Sequence, residues 1–358
     1  MDSDPLISRV IGNYRIEARL GRGGMSTVYR ARQLTMQRDV AIKVMSAELA
    51  TEPQFISRFE REAQVIANLE HPRILPVHDY GHEGEFFFLV MRMVDGESLR
   101  DRLLSGALSL ATAAHLIEQI ASALDYAHGR GVIHRDLKPN NVLIDKLDNA
   151  YLMDFGIAKL MAASQQLTAT GMVMGTPAYM APEQWRGEPV DVRTDVYSLG
   201  VMLYEMVLGC QPFEAADTPF TLMYKHLNDP PPAPRTLLPD LPEAVERVIL
   251  KALAKDPAER YPSAGALAAA FSEAIKEAGT AAHITPPPRS EPCAEPDADA
   301  LVPVPLPDKI APPPAPIPVP GTPAPPLVAW PDDESQPEVY GKRKRKRKAK
   351  PSPAADLP

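Results

Sequence analysis

The sequence predicts an α+β protein with two lobes, a small β-rich lobe and a larger, mostly helical one, followed by a proline-rich tail. Three observations predict this order. Strand-like alternation and one amphipathic helix fill the first 91 residues or so, and a long amphipathic helix, 110–129, opens the second part. Finally, 22 of the 40 prolines lie within residues 281–358, a density that prevents a packed core.

The composition predicts a cytoplasmic protein. The net charge of −8 argues against a nucleic-acid-binding body. The two cysteines, Cys210 and Cys293, are far apart, so neither a disulfide framework nor a cysteine metal site is expected. No stretch approaches the ~18–20 apolar residues of a membrane span, and the acidic N-terminus lacks a signal core.

Residues 14–20 and 28–31 predict two strands joined by a glycine-rich hairpin tip. Such a tip lets backbone amides approach phosphate oxygens without side chains between them. By itself the pattern is more often an ordinary turn, and Ser26 occupies the third glycine position of GxGxxG. The hairpin therefore needs support from residues further along the chain.

That support comes from Lys43, which ends the apolar strand 40–43. A lysine there often only extends to solvent, so an acidic partner is needed. Residues 55–69 have helical periodicity, and Glu62 lies in the middle of their apolar stripe. A buried carboxylate is costly without a cation, so we expect Glu62 to pair with Lys43.

Residues 85–91 predict a buried strand, and Arg92-Met93-Val94-Asp95-Gly96 a hinge between the lobes. Backbone groups of this hinge could pair with an adenine edge. Apolar walls for the same pocket are expected from four side chains, which are Val28, Ala41, Met91 and Leu143.

The strongest signal of chemistry is the window His134–Asn141 together with Asp154-Phe155-Gly156. It holds two carboxylates, a carboxamide and a lysine. These groups can hold a metal-bound triphosphate and take a proton from an attacking hydroxyl. The tripeptide His-Arg-Asp alone is usually a solvated turn, but the complete set in order favours phosphoryl transfer.

From residue 14 to about 272, these motifs resemble those of the bacterial eukaryotic-like (Hanks-type) serine/threonine protein kinases. The resemblance implies the bilobal protein kinase fold, ATP with Mg²⁺ or Mn²⁺, protein substrates and a role in cytosolic signalling. It divides the chain into an N-terminal extension (1–13), a kinase domain (14–275, with N-lobe 14–91 containing helix C, hinge 92–96 and C-lobe 97–275) and a disordered tail (276–358).

The resemblance also assigns roles residue by residue. Asp136 matches the catalytic aspartate that orients the substrate hydroxyl and accepts its proton. Lys138 matches the lysine on the γ-phosphate, which favours serine or threonine acceptors over tyrosine. Asn141 and Asp154 match the two metal ligands. Phosphoryl transfer needs little covalent help, so charge neutralisation and in-line positioning carry most of the catalysis.

Lys43, paired with Glu62, matches the lysine on the α- and β-phosphates. Two departures from the family pattern are Ser26 in the glycine-rich loop and Arg92 at the hinge, and both leave the backbone groups available. The implied ATP-binding residues are Leu20, Gly21, Arg22, Gly23, Gly24, Met25, Ser26, Val28, Ala41, Lys43, Met91, Val94 and Leu143.

Residues 157–180 have little regular pattern and end at Ala181-Pro182-Glu183. Thr168 and Thr170 match activation-loop phosphorylation sites, and a phosphate there could dock on Arg135. Thr176 matches the threonine that tethers Asp136 and Lys138, in a segment, 175–177, that receives the residue after the phosphoacceptor.

Two further matches are structural. Asp195 matches the buried aspartate that anchors the catalytic-loop backbone, and Arg260 the ion-pair partner of Glu183. A homodimer that supports trans-autophosphorylation is compatible with the resemblance, although no residue of the sequence demonstrates it.

Two other classes of function fit the sequence less well. A pseudokinase, which is a binding module on the same fold, would lack one of Lys43, Asp136 and Asp154, and all three are present. A small-molecule kinase on a related scaffold generally lacks the Ala-Pro-Glu segment and the threonine-bearing loop.

Near its end the tail carries a basic cluster, residues 342–350. The cluster predicts either a solvated tail or attraction to anionic lipid or nucleic acid. The prolines are typical of ligands for proline-binding modules.

If the attraction is electrostatic, the isolated tail should cosediment with vesicles that contain anionic lipid and be released by salt. Cosedimentation that ignores both variables would contradict this.

Overall fold

In this computed structural model the described residues are 4–23, 26–45, 55–84, 86–155, 177–213 and 218–279, with 55–58 described by their backbone only. The N-terminal lobe is built on an antiparallel sheet in the order β1-β2-β3-β4-β6-β5. The strands are β1 (Val10–Ile11), β2 (Tyr14–Arg22), β3 (Ser26–Gln33), β4 (Arg38–Met45), β5 (Val77–Glu83) and β6 (Phe86–Arg92).

Strand β4 separates two cores because successive side chains point to opposite faces. Its outer face contributes Val40, Ile42 and Val44 to a core confined to this lobe. On its inner face, Ala41 and Met45 belong to a second core that continues into the C-terminal lobe. Lys43 shares the parity of Ala41 and Met45, so the strand register places its amine on the inner side.

Residues ahead of β2 complete the outer core. Leu6 and Ile11 are buried there with Tyr14 and Tyr29. The hydroxyl of Tyr29 also donates to the carboxylate of Asp4. The segment predicted as an N-terminal extension is thus packed onto the sheet.

Helix α1 (Phe55–Ala67) covers the inner face of the sheet, within two residues of its predicted end. Phe59, Ala63 and Ile66 are buried, as expected for one stripe of an amphipathic helix. The Phe59 ring meets Phe87 of β6 edge to face, with centroids 5.4 Å apart. Aromatic packing therefore holds the helix against the sheet.

The C-terminal lobe begins with a small sheet of β7 (Gly96–Ser98), β8 (Val142–Asp145) and β9 (Ala150–Leu152). Strand β9 also reaches the first lobe, because Leu75 N donates to Leu152 O at 2.9 Å and Leu152 N to Arg73 O at 2.8 Å. The guanidinium of Arg92 lies over the Tyr151 ring at 5.4 Å. Arg92 is solvent-exposed, and its guanidinium is nevertheless in contact with the second lobe.

Helices form the rest of this lobe: α2 (Leu99–Leu104), α3 (Leu110–His128), α4 (Pro182–Arg186), α5 (Val192–Leu208), α6 (Pro219–Asn228), α7 (Pro234–Leu237), α8 (Glu243–Ala252) and α9 (Ala264–Glu277). Every residue of α5 from Thr194 to Val207 is buried, so it is the central helix of the lobe. None of the helices in the described part of the chain has both the length and the apolar character needed to cross a bilayer.

Helix α3 ends at His128, one residue before its predicted end, and its Asp125 fastens the final helix. The Asp125 carboxylate accepts from Ala264 N at 3.1 Å and Gly265 N at 3.0 Å. Amides at a helix N-terminus lack partners within the helix, so this carboxylate satisfies two of them and complements the helix dipole. The contact joins residues about 140 positions apart.

Gly96 lies where β7 pairs with β8, at a point where the two strands are too close together for a side chain. A Cβ atom there would lie 2.0 Å from the carbonyl oxygen of Ile144, and the backbone cannot move aside as a flexible side chain can.

We predict that Gly96→Ala lowers the free energy of unfolding by at least ~1–3 kcal/mol, the usual cost of overpacking, as measured by urea titration. Gly129→Ala is the control, since its φ of −61° is helical and its nearest contact is 3.4 Å; an equal loss there would contradict the prediction.

Candidate active site

The loop that carries Asp136 is anchored by one buried carboxylate, that of Asp195. Asp195 of α5 is fully buried and accepts from His134 N at 2.8 Å and from Arg135 N at 2.9 Å. His128 Nε2 lies 2.7 Å from the same carboxylate. A buried carboxylate is stable only when donors surround it, and here two of the donors are the loop backbone. This is the geometry predicted for Asp195.

The loop bends sharply next to these contacts. Arg135 has φ = +68°, in the left-handed region that costs a non-glycine residue about 1–2 kcal/mol. Its carbonyl accepts from Gln184 Nε2 at 2.8 Å, while Gln184 Oε1 accepts from Ala181 N at 3.0 Å. Gln184 thus ties the loop to the Ala-Pro-Glu segment. Gln184 is not among the site residues predicted from the sequence.

Asp136, Lys138 and Asn141 form one cluster. Lys138 Nζ lies 2.9 Å from Asp136 Oδ2. Asn141 Nδ2 donates to the Asp136 carbonyl at 2.7 Å and to Oδ2 at 3.2 Å. All three side chains are partly or fully buried. The carboxylate is therefore held in one orientation, with a cation beside it.

Asp154 is brought to the same place by backbone contacts. Met153 N donates to Asn141 O at 3.0 Å, and the Met153 carbonyl lies 2.9 Å from His134 Nε2. The next residue, Asp154, has φ = +64°. Phe155 is fully buried, with its ring centroid 4.7 Å from that of His134. The loop 134–141 and the segment 153–155 are thus joined by main-chain and ring contacts.

The residues present fit a divalent cation. Asp154 Oδ1 is buried without a hydrogen-bond partner, and both hydrogen bonds recorded for the Asn141 side chain use Nδ2. Carboxylate and amide oxygens are ligands of Mg²⁺, which commonly takes one or two protein carboxylates and completes its shell with water and substrate phosphate. Across the described ranges no three His, Cys, Asp or Glu side chains form a metal cluster, so such a cation would need those additional ligands.

The ion pair of Lys43 is with Asp154. Lys43 Nζ lies 2.7 Å from Asp154 Oδ2, and each side chain is 12% exposed. Glu62 is half-buried on α1 and is engaged in an interaction of its own. The structure thus places Lys43 at Asp154, the predicted metal ligand, and the Lys43–Glu62 ion pair stays a prediction.

The predicted apolar walls come together. Ala41 and Met91 are buried in the core shared by the two lobes, and Val28, Val94 and Leu143 pack against it. The hairpin tip lies at the end of β2 and β3, where Gly23 N donates to Ser26 O at 2.8 Å. Leu20, Gly21 and Arg22 are exposed on β2. The predicted wall residues thus belong to one apolar core, and the hairpin tip is closed by a backbone hydrogen bond.

Glu183 and Arg260 form the predicted ion pair in the C-terminal lobe. Arg260 binds both oxygens of Glu183 at 2.8 Å, and Thr194 Oγ1 donates to Oε1 at 2.7 Å. Burial alone would raise the pKa of Glu183, but the hydrogen bonds and charge of Arg260 outweigh it and lower that pKa. The pair stays charged and holds α4 against the lobe.

Five of the predicted site residues lie outside the described residues. They are Gly24 and Met25 of the glycine-rich loop and Thr168, Thr170 and Thr176 between Phe155 and Pro177. Gly156, which completes the second motif, lies there as well.

Comparison with known proteins identifies relatives of this region. A family model described as the protein kinase domain matches residues 14–272. The chain is 42% identical over 276 residues to serine/threonine-protein kinase PknH of Mycobacterium bovis, which covers 76% of this chain and 46% of the relative. Over the same length it is 45% identical to PknD of Mycobacterium tuberculosis, covering 41% of that protein. Over 293 residues it is 43% identical to PknA of M. tuberculosis, covering 80% of this chain and 67% of PknA.

Solved structures agree. The crystal structure of the M. tuberculosis PknI kinase domain matches 75% of this chain and 98% of that domain, with a TM-score of 0.61 and 30% identity. The two-lobed fold predicted from the sequence is therefore confirmed. The chain spans about half the length of PknH and PknD.

Asp195→Asn tests the anchor of the loop. An amide has one acceptor oxygen, so at least one of the two loop amides loses its partner. We predict a loss of ~1–3 kcal/mol in the free energy of unfolding, measured by urea denaturation. Asp191→Asn on the same helix is the matched control, because Asp191 is an exposed N-cap and asparagine caps equally well. Equal losses in the two variants would show that the anchor is unimportant.

Proposed function

The chain belongs to the protein kinase family, and on this premise we propose that it transfers the γ-phosphate of ATP to serine and threonine hydroxyls of proteins. The observation that carries the proposal is the cluster of Asp136, Lys138 and Asn141 beside the Lys43–Asp154 pair. The relatives that support the acceptor are named serine/threonine-protein kinases.

In this proposal Asp136 receives the acceptor hydroxyl. Its carboxylate, oriented by Lys138 and Asn141, aligns the hydroxyl oxygen with the γ-phosphorus and takes the hydroxyl proton as the new P–O bond forms. The bond to the β-phosphate oxygen breaks, and ADP leaves. Lys138 places a positive charge where negative charge gathers on the transferred group.

Lys43 would change partners when nucleotide binds. We propose that the α- and β-phosphates take Lys43 from Asp154, which gives Asp154 a second free oxygen, and that Glu62 then pairs with Lys43. Asn141 and Asp154 would hold Mg²⁺ or Mn²⁺, and the cation supplies neutralisation of phosphate charge. The ATP-binding residues keep the roles that the sequence predicts for them, with adenine between Val28, Ala41, Met91 and Leu143.

Regulation in this proposal acts through Thr168 and Thr170. A phosphate on either would add about two negative charges, and Arg135, half-buried beside Asp136, is a cation that could receive it. A homodimer would allow one copy to modify the other. Thr176 would tether Asp136 and Lys138, and segment 175–177 would receive the substrate residue that follows the acceptor.

Labelled ATP tests the activity. With ATP and Mg²⁺ or Mn²⁺, the wild type should incorporate phosphate, and mass spectrometry should locate it on Thr168, Thr170 or both. Asp136→Asn and Lys43→Met should each reduce incorporation at least ~100-fold, since general-base and phosphate-charge contacts are worth that much.

The controls make the same chemical changes on the surface. Asp148→Asn and Lys146→Met alter exposed ion-pair members, which contribute little to stability, and both should keep wild-type incorporation. Undiminished incorporation in both site variants would show that the phosphate arrives by another route. A wild type that binds ATP without transfer would favour the pseudokinase.

A further inference from the structure

The carboxylate of Asp4 joins three separate parts of the N-terminal lobe. Its Oδ1 accepts from the amide of Leu6 at 3.1 Å, within the turn that precedes β1. The hydroxyl of Tyr29 on β3 lies 3.1–3.2 Å from both carboxylate oxygens, and Arg19 on β2 forms an ion pair with Oδ2 at 3.5 Å. The Asp4 side chain is only 10% exposed. A carboxylate this enclosed is stable because donors surround it.

The two strand residues in these contacts face each other just below the hairpin tip. Arg19 and Tyr29 are a cross-strand pair, which forms the stem of the glycine-rich hairpin, and the next pair towards the tip is Gly21 with Val28. The register shifts between the two pairs, with Leu20 as the extra residue on β2. Such an irregularity bends a strand and redirects its side chains. Leu20 and Val28 are predicted ATP-binding residues, so the carboxylate contacts the hairpin one residue away from each.

The outer edge of β2 has few other restraints near the tip. Strand β1 pairs with Tyr14 and Arg15, and backbone hydrogen bonds from residues 8 and 9 reach Ile16. Beyond that point, the described part of the chain places no further strand on this side of β2. A segment with few neighbours opens easily. The contacts of Asp4 are therefore well placed to restrain the hairpin stem.

Both ends of the contact are held in place. Burial, followed by the hydrogen bond to Asp4, raises the pKa of Tyr29, so the hydroxyl stays protonated and donates. The Tyr29 ring is buried in the outer core, and Leu6 of the segment before β1 is buried in the same core. Packing thus keeps the carboxylate and the hydroxyl together.

We propose that Asp4 is a positioning residue for the nucleotide: its carboxylate ties the segment before β1 to the hairpin stem and thereby holds Leu20 and Val28 in place beside adenine. This inference rests on the proposed function, because that function assigns these two residues to ATP. Without the tie, the stem would hold the binding arrangement for a smaller fraction of the time, and the apparent affinity for ATP falls by that fraction. Binding of the peptide acceptor should not depend on it.

Calorimetric titration with adenylyl imidodiphosphate, a non-hydrolysable ATP analogue, and Mg²⁺ tests this role. Asp4→Ala removes every contact of the carboxylate and should weaken binding about fivefold, the equivalent of one hydrogen bond. Asp4→Asn keeps an oxygen for the Leu6 amide and the Tyr29 hydroxyl and loses an ion pair whose arginine is half-exposed, so it should stay within about twofold of wild type. In phosphorylation assays, Asp4→Ala should raise the KM for ATP and leave the KM for a serine- or threonine-containing peptide unchanged.

Two tyrosines provide a matched pair of variants. Tyr29→Phe removes the other half of the contact and should also weaken binding about fivefold; combined with Asp4→Ala it should add nothing, because both changes delete one interaction. Tyr14→Phe is the control. Tyr14 is buried in the same core and donates to Asp79 at 2.8 Å, but it lies at the opposite end of the hairpin from the tip. Its removal should lower the free energy of unfolding in urea and leave the affinity unchanged.

A second measurement needs no nucleotide. Gly23 N donates to Ser26 O at 2.8 Å at the hairpin tip, so exchange of this amide with deuterium reports the hairpin directly. Exchange should be faster in Asp4→Ala and Tyr29→Phe than in wild type and Tyr14→Phe.

The outcomes separate the two proposals. A wild type that binds the analogue but transfers no phosphate would overturn the proposed function alone. Equal affinities in wild type and Asp4→Ala, an equal loss in Tyr14→Phe, or a peptide KM that rises together with the ATP KM would overturn the role of Asp4 alone. If Asp4→Ala fails to fold, as its urea curve would show, the comparison of Tyr29→Phe with Tyr14→Phe decides the question.

Discussion

The interaction on which the rest of the site depends is the burial of the Asp195 carboxylate under the catalytic loop. A charge in the buried first turn of α5 is tolerable only when donors surround it, and the loop backbone supplies two of them. The left-handed turn at Arg135 is maintained because both neighbouring amides are committed. The next residue, Asp136, contacts Lys138 and Asn141, so one buried charge in α5 supports the turn that carries the predicted catalytic aspartate.

A second constraint is the way the two lobes share backbone contacts. Strand β9 belongs to the small sheet of the C-terminal lobe, yet Leu152 bonds to Arg73 and Leu75 of the first lobe. Asp154 follows two residues later and meets Lys43 of β4. The Lys43–Asp154 ion pair thus lies close to the main-chain hydrogen bonds that join the two lobes. Such bonds depend less on side-chain identity than side-chain packing does.

Local pattern was enough to predict elements whose ends are marked in the sequence. Helix α3 was predicted to within one residue because its apolar side chains recur at helical spacing and a glycine follows its last residue. The apolar walls were predictable because strand alternation fixes which side chains share a face. The Lys43–Asp154 ion pair could not be predicted in this way, because it depends on how the two lobes and α1 pack against one another. Gln184 was missed because it donates to a backbone carbonyl 49 residues away, and backbone groups leave no trace in the sequence.

The burial of Leu6 and Ile11 bears on where the folding unit starts. The family match begins at residue 14, but these two side chains complete the outer core with Tyr14 and Ile16. A recombinant fragment cut at residue 14 would uncover a sheet face made of Val40, Ile42 and Val90, and exposed apolar sheet faces promote self-association. The family match and the packed core therefore begin at different residues of this chain. A protease that removes the first residues would lower the stability of the fold without removing any residue of the candidate active site.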